Sequence, residues 1–276
     1  MAHCIVLEAE KILDKEFPVL DHGFVRLVDY LGSDNRIVQA ARVSYGKGTK
    51  SFRKDKGLID YLLRNEHTSP FEQVVLTFHT KMPLFVARQW VRHRTARINE
   101  ISGRYSVMKD EFYLPVPEDI SFQSTDNKQG RSAEEVPAEL VEGTIETLQQ
   151  GQTNAYQQYS ELVNNNIAKE LARINLPLST YTEWYWQIDL HNLFHFLKLR
   201  MHSHAQKEIR VYAEAIAEIT KTVCPLAFES FEDHVLQGIT LSGKERAALE
   251  AMLENKPHSL SEKELLRLKA KIGHNE

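Results

Sequence analysis

Alternating apolar and polar positions predict three β-strands in this chain. The alternation runs through Gly23–Leu31, Val74–Thr80 and Thr182–Ile188. In the third run Trp184 and Trp186 share one phase, and mostly polar residues occupy the other. Because successive side chains of a strand point to opposite faces, each run indicates a sheet that is buried on one side.

Helical periodicity and end signals predict the elements between and after the strands. Ser33 or Asp34 can cap the first helix, and Asp189 can cap a long one near the end of the chain. The predicted helices cover residues 34–41, 58–65, 84–93, 138–163, 167–176 and 190–223.

Two segments show neither the helical nor the strand periodicity, and both are predicted to be surface loops. They are the basic, glycine-punctuated residues 46–57 and the polar residues 115–137. The tail differs from them, because it contains two Ser-x-x-Glu capping boxes, beginning at Ser242 and Ser261. The tail is therefore predicted to be helical rather than disordered.

Together these elements predict an α+β fold. Residues 1–235 are expected to form a single compact domain in which helices flank a central mixed or antiparallel sheet. Residues 236–276 are expected to form a helical C-terminal extension. No internal repeat, low-complexity block or Gly-Ser linker interrupts the chain.

The composition is typical of a globular protein in water. Of 276 residues, 42% are hydrophobic and 26% are charged, and the net charge is −4. The longest apolar runs have about four residues, too short to span a membrane, and no signal-peptide pattern is visible. We therefore expect a cytoplasmic protein with no membrane partner, and the net negative charge disfavours nucleic acid as a partner.

The two cysteines are poor candidates for chemistry. Cys4 lies in an apolar, strand-like run, and Cys224 precedes Pro225 at a predicted helix end. Neither has an adjacent histidine or arginine that would favour its thiolate, so a cysteine nucleophile is disfavoured. No Gly-x-Ser-x-Gly pattern marks a serine nucleophile either.

Positive charge is concentrated between Arg88 and Arg104. These 17 residues hold five arginines and one acid, Glu100, a formal +4 within a chain of net −4. The second half of the stretch lacks a clean period and is predicted to be a loop anchored on a packed helix. One guanidinium group can bind two phosphate oxygens at once. Gly103 permits a ligand to approach the backbone closely, and Ser102 supplies a directional hydrogen bond. A solvated helix face is the alternative, but the pattern favours a phosphate-binding site without a P-loop or dinucleotide motif.

A second group of polar residues follows Asp189. His191 and His195 are one helical turn apart on the same face. Asn192 stands where a metal motif would have a glutamate, so a metal site is disfavoured. Arg200 lies in an otherwise apolar stretch and needs a partner, either a structural acid or a bound ligand.

These residues lie in motifs that resemble those of the flavin-dependent thymidylate synthases. The central motif is Arg-His-Arg, seven further residues and then serine, here Arg92 to Ser102. The other similar motifs, in the same order along the chain, are Ala41–Gly46, His67–Glu72, Ala87–Trp90, Ser102–Ser106, Leu193–Arg200 and Ser203–Gln206.

The resemblance implies the conversion of dUMP to dTMP. Methylenetetrahydrofolate supplies the carbon, and NADPH supplies reducing equivalents through FAD. The family is similar in forming homotetramers with active sites built from several subunits. Its members need no protein thiol, which agrees with two inert cysteines, and FAD and dUMP both carry phosphate, which agrees with the cationic loop.

The resemblance also implies roles at matching positions. Contacts with FAD are implied for Ser69, Arg92, His93, Arg94, Glu100, Asp189, His191 and His195. Contacts with dUMP are implied for Gln89, Trp90, Arg92, Glu100, Ser102, Gly103, Arg104, Arg173 and Arg200. No metal is implied. Arg97 stands where the family usually has a small polar residue, often serine, and is left outside the predicted site.

Arg200 is implied to be the catalytic residue. A guanidinium against the uracil imide stabilises the negative charge that develops as N3 loses its proton, which makes C5 a better carbon nucleophile. The reduced flavin then provides the hydride.

Two other hypotheses use the same residues. A non-catalytic nucleotide-binding or RNA-binding protein would use residues 88–104 as a phosphate clamp, and its affinity would fall steeply with salt. A metal hydrolase with histidine ligands would lose activity to a chelator.

Overall fold

Five strands form one sheet in the order β1-β2-β3-β5-β4, and every neighbouring pair is antiparallel. The computed structural model describes residues 5–43, 52–125 and 130–273, and only the backbone of residues 52–54. The strands are β1 Glu16–Val19, β2 Gly23–Leu31, β3 Val75–Pro83, β4 Arg97–Glu100 and β5 Tyr181–Asp189. The predicted α+β fold with an antiparallel sheet is confirmed.

Helices account for most of the remaining described residues. They are α1 Leu7–Glu10, α2 Asp34–Ala41, α3 Phe52–Arg64, α4 Leu84–Trp90, α5 Ala138–Asn164, α6 Lys169–Ala172, α7 Leu190–Arg200, α8 Lys207–Val223, α9 Pro225–Phe231, α10 Gly243–Leu253 and α11 Glu262–Lys271. Within the described ranges, none of them combines the length and the apolar character needed to cross a bilayer.

Alternate side chains along β5 lie on the buried face of the sheet. Trp184 and Trp186 are buried, whereas Tyr185 between them is 43% exposed. Phe78 of β3 is opposite Trp186 in the register and is buried with it. The period of two seen in the sequence therefore marks the core side of the sheet.

The aromatic core joins the ends of α4 and α7. Trp90, the last residue of α4, stacks on Phe196 of α7 with ring centroids 5.0 Å apart. The same indole meets Trp184 and Trp186 edge-on at 5.5 and 5.2 Å. Because interiors are close-packed, these contacts fix the segments that follow both helices relative to the sheet.

Two strands differ from the sequence-based expectation. Arg97–Glu100 was expected to be part of a loop, but it is β4, paired with β5 at the edge of the sheet. All four residues are exposed, so their side chains carry no apolar alternation. The short edge strand β1, which contains Pro18, was not predicted. The expected N-terminal strand is wrong for Ile5 to Leu7, where α1 begins, and Cys4 lies outside the described residues.

The predicted single helix over residues 190–223 is two helices. The interruption covers residues 201–206 and contains no proline or glycine. Gln206, the residue before α8, has an extended backbone with φ −56° and ψ 135°. The predicted helix 84–93 likewise ends early, at Trp90.

The basic segment 46–57 was expected to be a loop. From Phe52 onward it belongs to α3, so this part of the expectation is wrong. Residues 44–51, which include the end of the Ala41–Gly46 motif, lie outside the described residues. Within its described part, the polar run 115–137 contains a short 3-10 turn at Pro117–Asp119 and an isolated β-bridge between Gln123 and Arg131.

Asp34 caps a distant helix rather than its own. Its carboxylate accepts hydrogen bonds from the amides of Leu226 and Ala227, at 2.9 and 3.0 Å, in the first turn of α9. Burial raises the pKa of Asp34 to about 6, and the two backbone hydrogen bonds oppose that rise. The residue thus links α2 to α9 and satisfies two helix-terminal amides.

The chain divides into two compact units, Met1–Phe228 and Glu229–Glu276. The sequence places the corresponding boundary after residue 235. In the second unit Ser242 and Ser261 form the two expected capping boxes at the starts of α10 and α11.

Candidate active site

The Arg-His-Arg motif forms a turn after α4 in which only the middle residue is buried. His93 is 8% exposed, whereas Arg92 and Arg94 on either side are exposed. The His93 amide donates to the Trp90 carbonyl at 3.0 Å, and its ring packs edge-on against Phe196 at 5.0 Å. The motif therefore offers two guanidinium groups to an external anion and one imidazole to the interior.

Arg200, at the end of α7, contacts that imidazole. Its Nε donates to Nε2 of His93 at 3.0 Å, and its Nη2 donates to the carbonyl oxygen of Gln89 at 3.3 Å. Among the described residues, no carboxylate lies within ion-pairing distance of Arg200. The described partners of Arg200 are thus two neutral acceptors and not a structural acid.

Burial and charge set the protonation states of this pair. Burial, the positive charge of Arg200 and the proximity of His195 lower the pKa of His93 to about 4. Burial also lowers the pKa of Arg200. Because guanidinium remains protonated in proteins, the pair at neutral pH consists of a neutral imidazole and a cation.

Gln89 and Trp90 have different environments at the end of α4. Gln89 is near the surface, and its amide donates to the side-chain oxygen of Gln206 in the segment before α8. Trp90 is 0% exposed. A contact between dUMP and the Trp90 side chain, predicted from the resemblance, does not fit a fully buried indole, which instead supports the site from beneath.

Glu100, the last residue of β4, is on the sheet face that carries Trp184. The two residues are opposite each other in the register, and directly opposed residues share a face. Thr182 of β5 donates from its hydroxyl to Oε1 of Glu100 at 2.6 Å. This bond orients an exposed carboxylate at the sheet edge.

Arg97 is on the opposite face of β4. Its Nη1 donates to Oε1 of Gln187, the residue opposite it on β5, at 3.3 Å. The arginine at this position therefore occupies the face away from Glu100.

The segment after β4 packs against α6 and the turn that follows it. Gly103 is buried, and a Cβ at this position would be 3.1 Å from Cδ of Arg173. Nε of Arg104 donates to Glu170 at 3.2 Å, and Ser102 is half-buried with its hydroxyl accepting from the Arg104 amide at 3.4 Å. The structure thus brings together the four predicted residues Ser102, Gly103, Arg104 and Arg173.

The predicted site residues at and within α7 have different roles: one caps the helix, and the two histidines lie at or near its surface. Asp189 is the N-cap, and its carboxylate accepts from the amide and the side chain of Asn192 at 3.0 and 2.7 Å. His191 is half-buried and His195 is exposed. The His195 ring lies 5.9 Å from that of His93, so this residue adjoins the Arg200 pair.

Ser69 precedes a segment that packs on α7, where the Phe71 ring lies 6.4 Å from that of Phe194. Ser69 is exposed in the turn before the short 3-10 segment Phe71–Gln73. The neighbouring His67 packs edge-on against Tyr61 at 5.8 Å.

Eight of the predicted site residues thus fall into two groups. The first group surrounds Arg200 and consists of Gln89, His93, His195 and Arg200. The second group, here called the loop cluster, consists of Ser102, Gly103, Arg104 and Arg173. In the described part of the chain, no hydrogen bond or ion pair joins the two groups.

Three supporting residues were missed from the sequence: Thr182, Glu170 and Gln206. Thr182 carried a detectable signal, because it is a polar residue in the same strand phase as Trp184 and Trp186. The contacts of Glu170 and Gln206 join residues 66 and 117 positions apart, and no local pattern indicates such pairs.

The residues present fit phosphorylated ligands. Arg92, Arg94 and Arg104 are exposed cations, and the absence of a side chain at Gly103 allows Arg173 to pack against it. The fold and the site therefore define an α+β protein whose exposed arginines suit phosphate-bearing ligands.

Comparisons with known proteins identify the family. Residues 26–226 match the family model described as thymidylate synthase complementing protein. The flavin-dependent thymidylate synthase of Treponema denticola is 64% identical over 260 residues, covering 94% of this chain and 98% of the relative. That of Treponema pallidum is 58% identical, covering 99% and 89%. The chain belongs to the family of flavin-dependent thymidylate synthases.

Solved structures agree with this assignment. The UMP/dUMP methylase PolB from Streptomyces cacaoi, bound with 5-Br UMP, aligns with a TM-score of 0.71 and 31% sequence identity. The alignment covers 79% of this chain and 97% of that one. The resemblance drawn from the motifs is thereby confirmed, and the flavin of the family's name is this chain's cofactor.

Proposed function

We propose that this chain converts dUMP to dTMP in the cytoplasm, with FAD as the flavin. The overall reaction balances as dUMP, methylenetetrahydrofolate, NADPH and one proton giving dTMP, tetrahydrofolate and NADP⁺. The observation that carries the proposal is the Arg200 guanidinium, which is partly buried and held only by neutral acceptors. An uncompensated cation in such a position has charge available for an anionic substrate.

We assign the phosphate of dUMP to the loop cluster. Arg104 follows Gly103 in the chain, and Arg173 lies against Gly103 in the space that a side chain at residue 103 would occupy. The Ser102 hydroxyl adds a hydrogen-bond donor. Arg104 is paired with Glu170, but both side chains are more than half exposed, so exchange of this partner for a phosphate costs little.

We assign the uracil to Arg200. As N3 of the ring loses its proton, negative charge spreads over the imide and C5 becomes nucleophilic. A guanidinium placed against the imide stabilises that charge in the transition state. No protein thiol is needed for this activation, and the described cysteine, Cys224, is buried in the core.

The arginines and serine on the outside of the site suit FAD. Arg92 and Arg94 can neutralise a diphosphate, and Ser69, His191 and His195 offer exposed or half-exposed hydrogen-bonding groups. When bound, the flavin supplies the hydride that reduces the transferred carbon. The protein's part is to hold the ring system beside the substrate.

We propose that the chain forms a homotetramer with shared active sites, as the family resemblance implies. No hydrogen bond or ion pair of the described residues ties the loop cluster to Arg200, so direct contacts within one chain do not hold the two groups together. We therefore propose that each active site takes the loop cluster and Arg200 from different subunits.

Release of tritium from dUMP labelled at C5 tests the proposed reaction. The purified protein with FAD is expected to release tritium and form dTMP only when methylenetetrahydrofolate and NADPH are both present. A matched reaction without the folate separates turnover from exchange. No release under the complete conditions, from protein that carries flavin, would reject the proposed function.

A non-catalytic RNA-binding role makes the opposite prediction. Its affinity for a single-stranded oligonucleotide would fall steeply with salt and would be insensitive to dUMP. The chain's net charge of −4 disfavours it.

A further inference from the structure

His93 occupies a position from which it can control the orientation of Arg200. Its imidazole accepts the Nε proton of Arg200 at 3.0 Å, and the Gln89 carbonyl accepts a proton of Nη2 at 3.3 Å. These two nitrogens form one edge of the guanidinium fork. Among the described residues no acceptor takes the remaining Nη1 group, so the outer edge of the fork is left for a ligand.

The histidine itself cannot move easily. It is 8% exposed, its backbone amide is bonded to Trp90, and its ring is wedged edge-on against Phe196. Phe196 in turn stacks on Trp90 in the aromatic core. The acceptor atom is therefore fixed to the most rigid part of the molecule.

A neutral acceptor is the right partner for a catalytic cation. A carboxylate would neutralise the charge of Arg200, and a protonated histidine would repel it and offer no lone pair. The charged and titratable groups that face His93 are Arg200 and His195, and both disfavour its protonation. Because Nε2 is the acceptor, the proton of the neutral ring is on Nδ1.

We propose that His93 is a positioning residue that aims the Arg200 guanidinium at the uracil imide. This inference rests on the proposed role of Arg200 in dUMP activation. It adds this role to the FAD contact that the motif resemblance implies for the middle residue of Arg-His-Arg.

Paired substitutions test this role in the holoenzyme. His93→Phe preserves the ring and its packing but removes the acceptor, whereas His93→Gln places an amide acceptor near the position of Nε2. His93→Phe is expected to lower kcat about 100-fold, the effect of displacing a catalytic group by about 1 Å, with a smaller change in KM. His93→Gln is expected to recover most of that loss, and both variants are expected to retain flavin absorbance.

A double-mutant cycle shows whether His93 acts through Arg200. In an Arg200→Ala background, His93→Phe is expected to have less than about a twofold further effect, because the two changes remove one interaction. Independent, multiplying effects would overturn the inference. Loss of flavin from both His93 variants would also overturn it, since the fall in activity would then follow from the missing cofactor and not from Arg200.

Binding of 5-fluoro-dUMP gives a readout of the imide itself. The halogen makes N3 more acidic, so the ionised fraction of the bound base can be followed by ultraviolet difference spectroscopy. His93→Phe is expected to shift bound 5-fluoro-dUMP towards the protonated form, and His93→Gln is expected to restore the anion. If Arg200→Ala leaves the spectrum unchanged, the proposed role of Arg200 fails. If Arg200→Ala changes it and His93→Phe does not, only the present inference fails.

Discussion

Gly103 lies directly against Arg173: a Cβ added to the glycine would be 3.1 Å from Cδ of the arginine and 3.3 Å from its Nη1. The same Cβ would be 2.9 Å from Sδ of Met108. The arginine can therefore reach its place in the loop cluster only because residue 103 has no side chain.

Gly103→Ala is expected to weaken dUMP binding without unfolding the protein. The new methyl group displaces Arg173, and the lost charge-assisted hydrogen bonds correspond to a rise in KM for dUMP of about 10- to 100-fold. Steady-state kinetics measure the change. Gly143→Ala is the matched control, because a Cβ there meets nothing within 4 Å. A KM that is equal in both variants would show that Arg173 does not bind the substrate.

Arg200→Ala is expected to lower turnover strongly while the flavin remains bound. Removal of a group that stabilises developing charge costs about 10²–10³ in rate. Arg200→Lys keeps a positive charge but cannot make both hydrogen bonds to His93 and Gln89 from a planar fork, so only part of the activity should return. The measurement is tritium release from C5-labelled dUMP, alongside the visible spectrum. Unchanged turnover in Arg200→Ala would remove Arg200 from the mechanism.

The contribution of His93 to the stability of the protein is expected to fall as the pH is lowered from about 6.5 to about 4. The pKa of His93 is about 4 in the folded chain, against 6.5 for an unperturbed histidine. Between these values the unfolded chain binds a proton that the folded chain rejects, so acid favours unfolding by up to about 3 kcal/mol from this residue.

The pH effect has a direct control in His93→Gln, which does not titrate. Thermal unfolding midpoints of both proteins, measured at pH 7 and pH 5, should differ more for the unsubstituted chain. Equal pH sensitivity of the two proteins would contradict the lowered pKa.

Gly23→Ala is expected to destabilise the sheet severely. A Cβ at residue 23 would be 2.0 Å from the Tyr212 hydroxyl, 2.6 Å from the Val19 carbonyl oxygen and 2.9 Å from that of Lys81. Two of these atoms are backbone and cannot retreat, so we expect a loss of about 3 kcal/mol or more in the free energy of unfolding. Denaturant titration measures it.

A second substitution separates the two sources of that clash. Adding Tyr212→Phe removes the hydroxyl but not the backbone oxygens, so Gly23→Ala/Tyr212→Phe should recover only part of the stability. Full recovery would mean that the hydroxyl alone opposes a side chain at residue 23.

The sequence predicted best those elements whose side chains have one buried face. β5 was evident because Trp184 and Trp186 alternate with more polar residues. β4 was not, because all its residues are exposed and it forms through backbone pairing with β5. The interruption at residues 201–206 was also hidden, since no proline or glycine marks it and the contact of Gln206 with Gln89 is a tertiary one.

The candidate site was predicted as a set of residues but not as an arrangement. Motif spacing identified His93 and Arg200, yet their contact joins positions 107 residues apart. The sequence also could not reveal that Trp90 is enclosed by aromatic rings, because its neighbours in the motif are polar. Long-range packing decides both outcomes.

The visible absorbance spectrum of the purified full-length protein tests most directly whether this site holds a flavin beside dUMP. We predict the absorbance bands of an oxidised flavin, a change in these bands when dUMP is added, and their bleaching by NADPH. A colourless protein that gains no flavin absorbance on addition of FAD, with or without dUMP, would contradict the central claim.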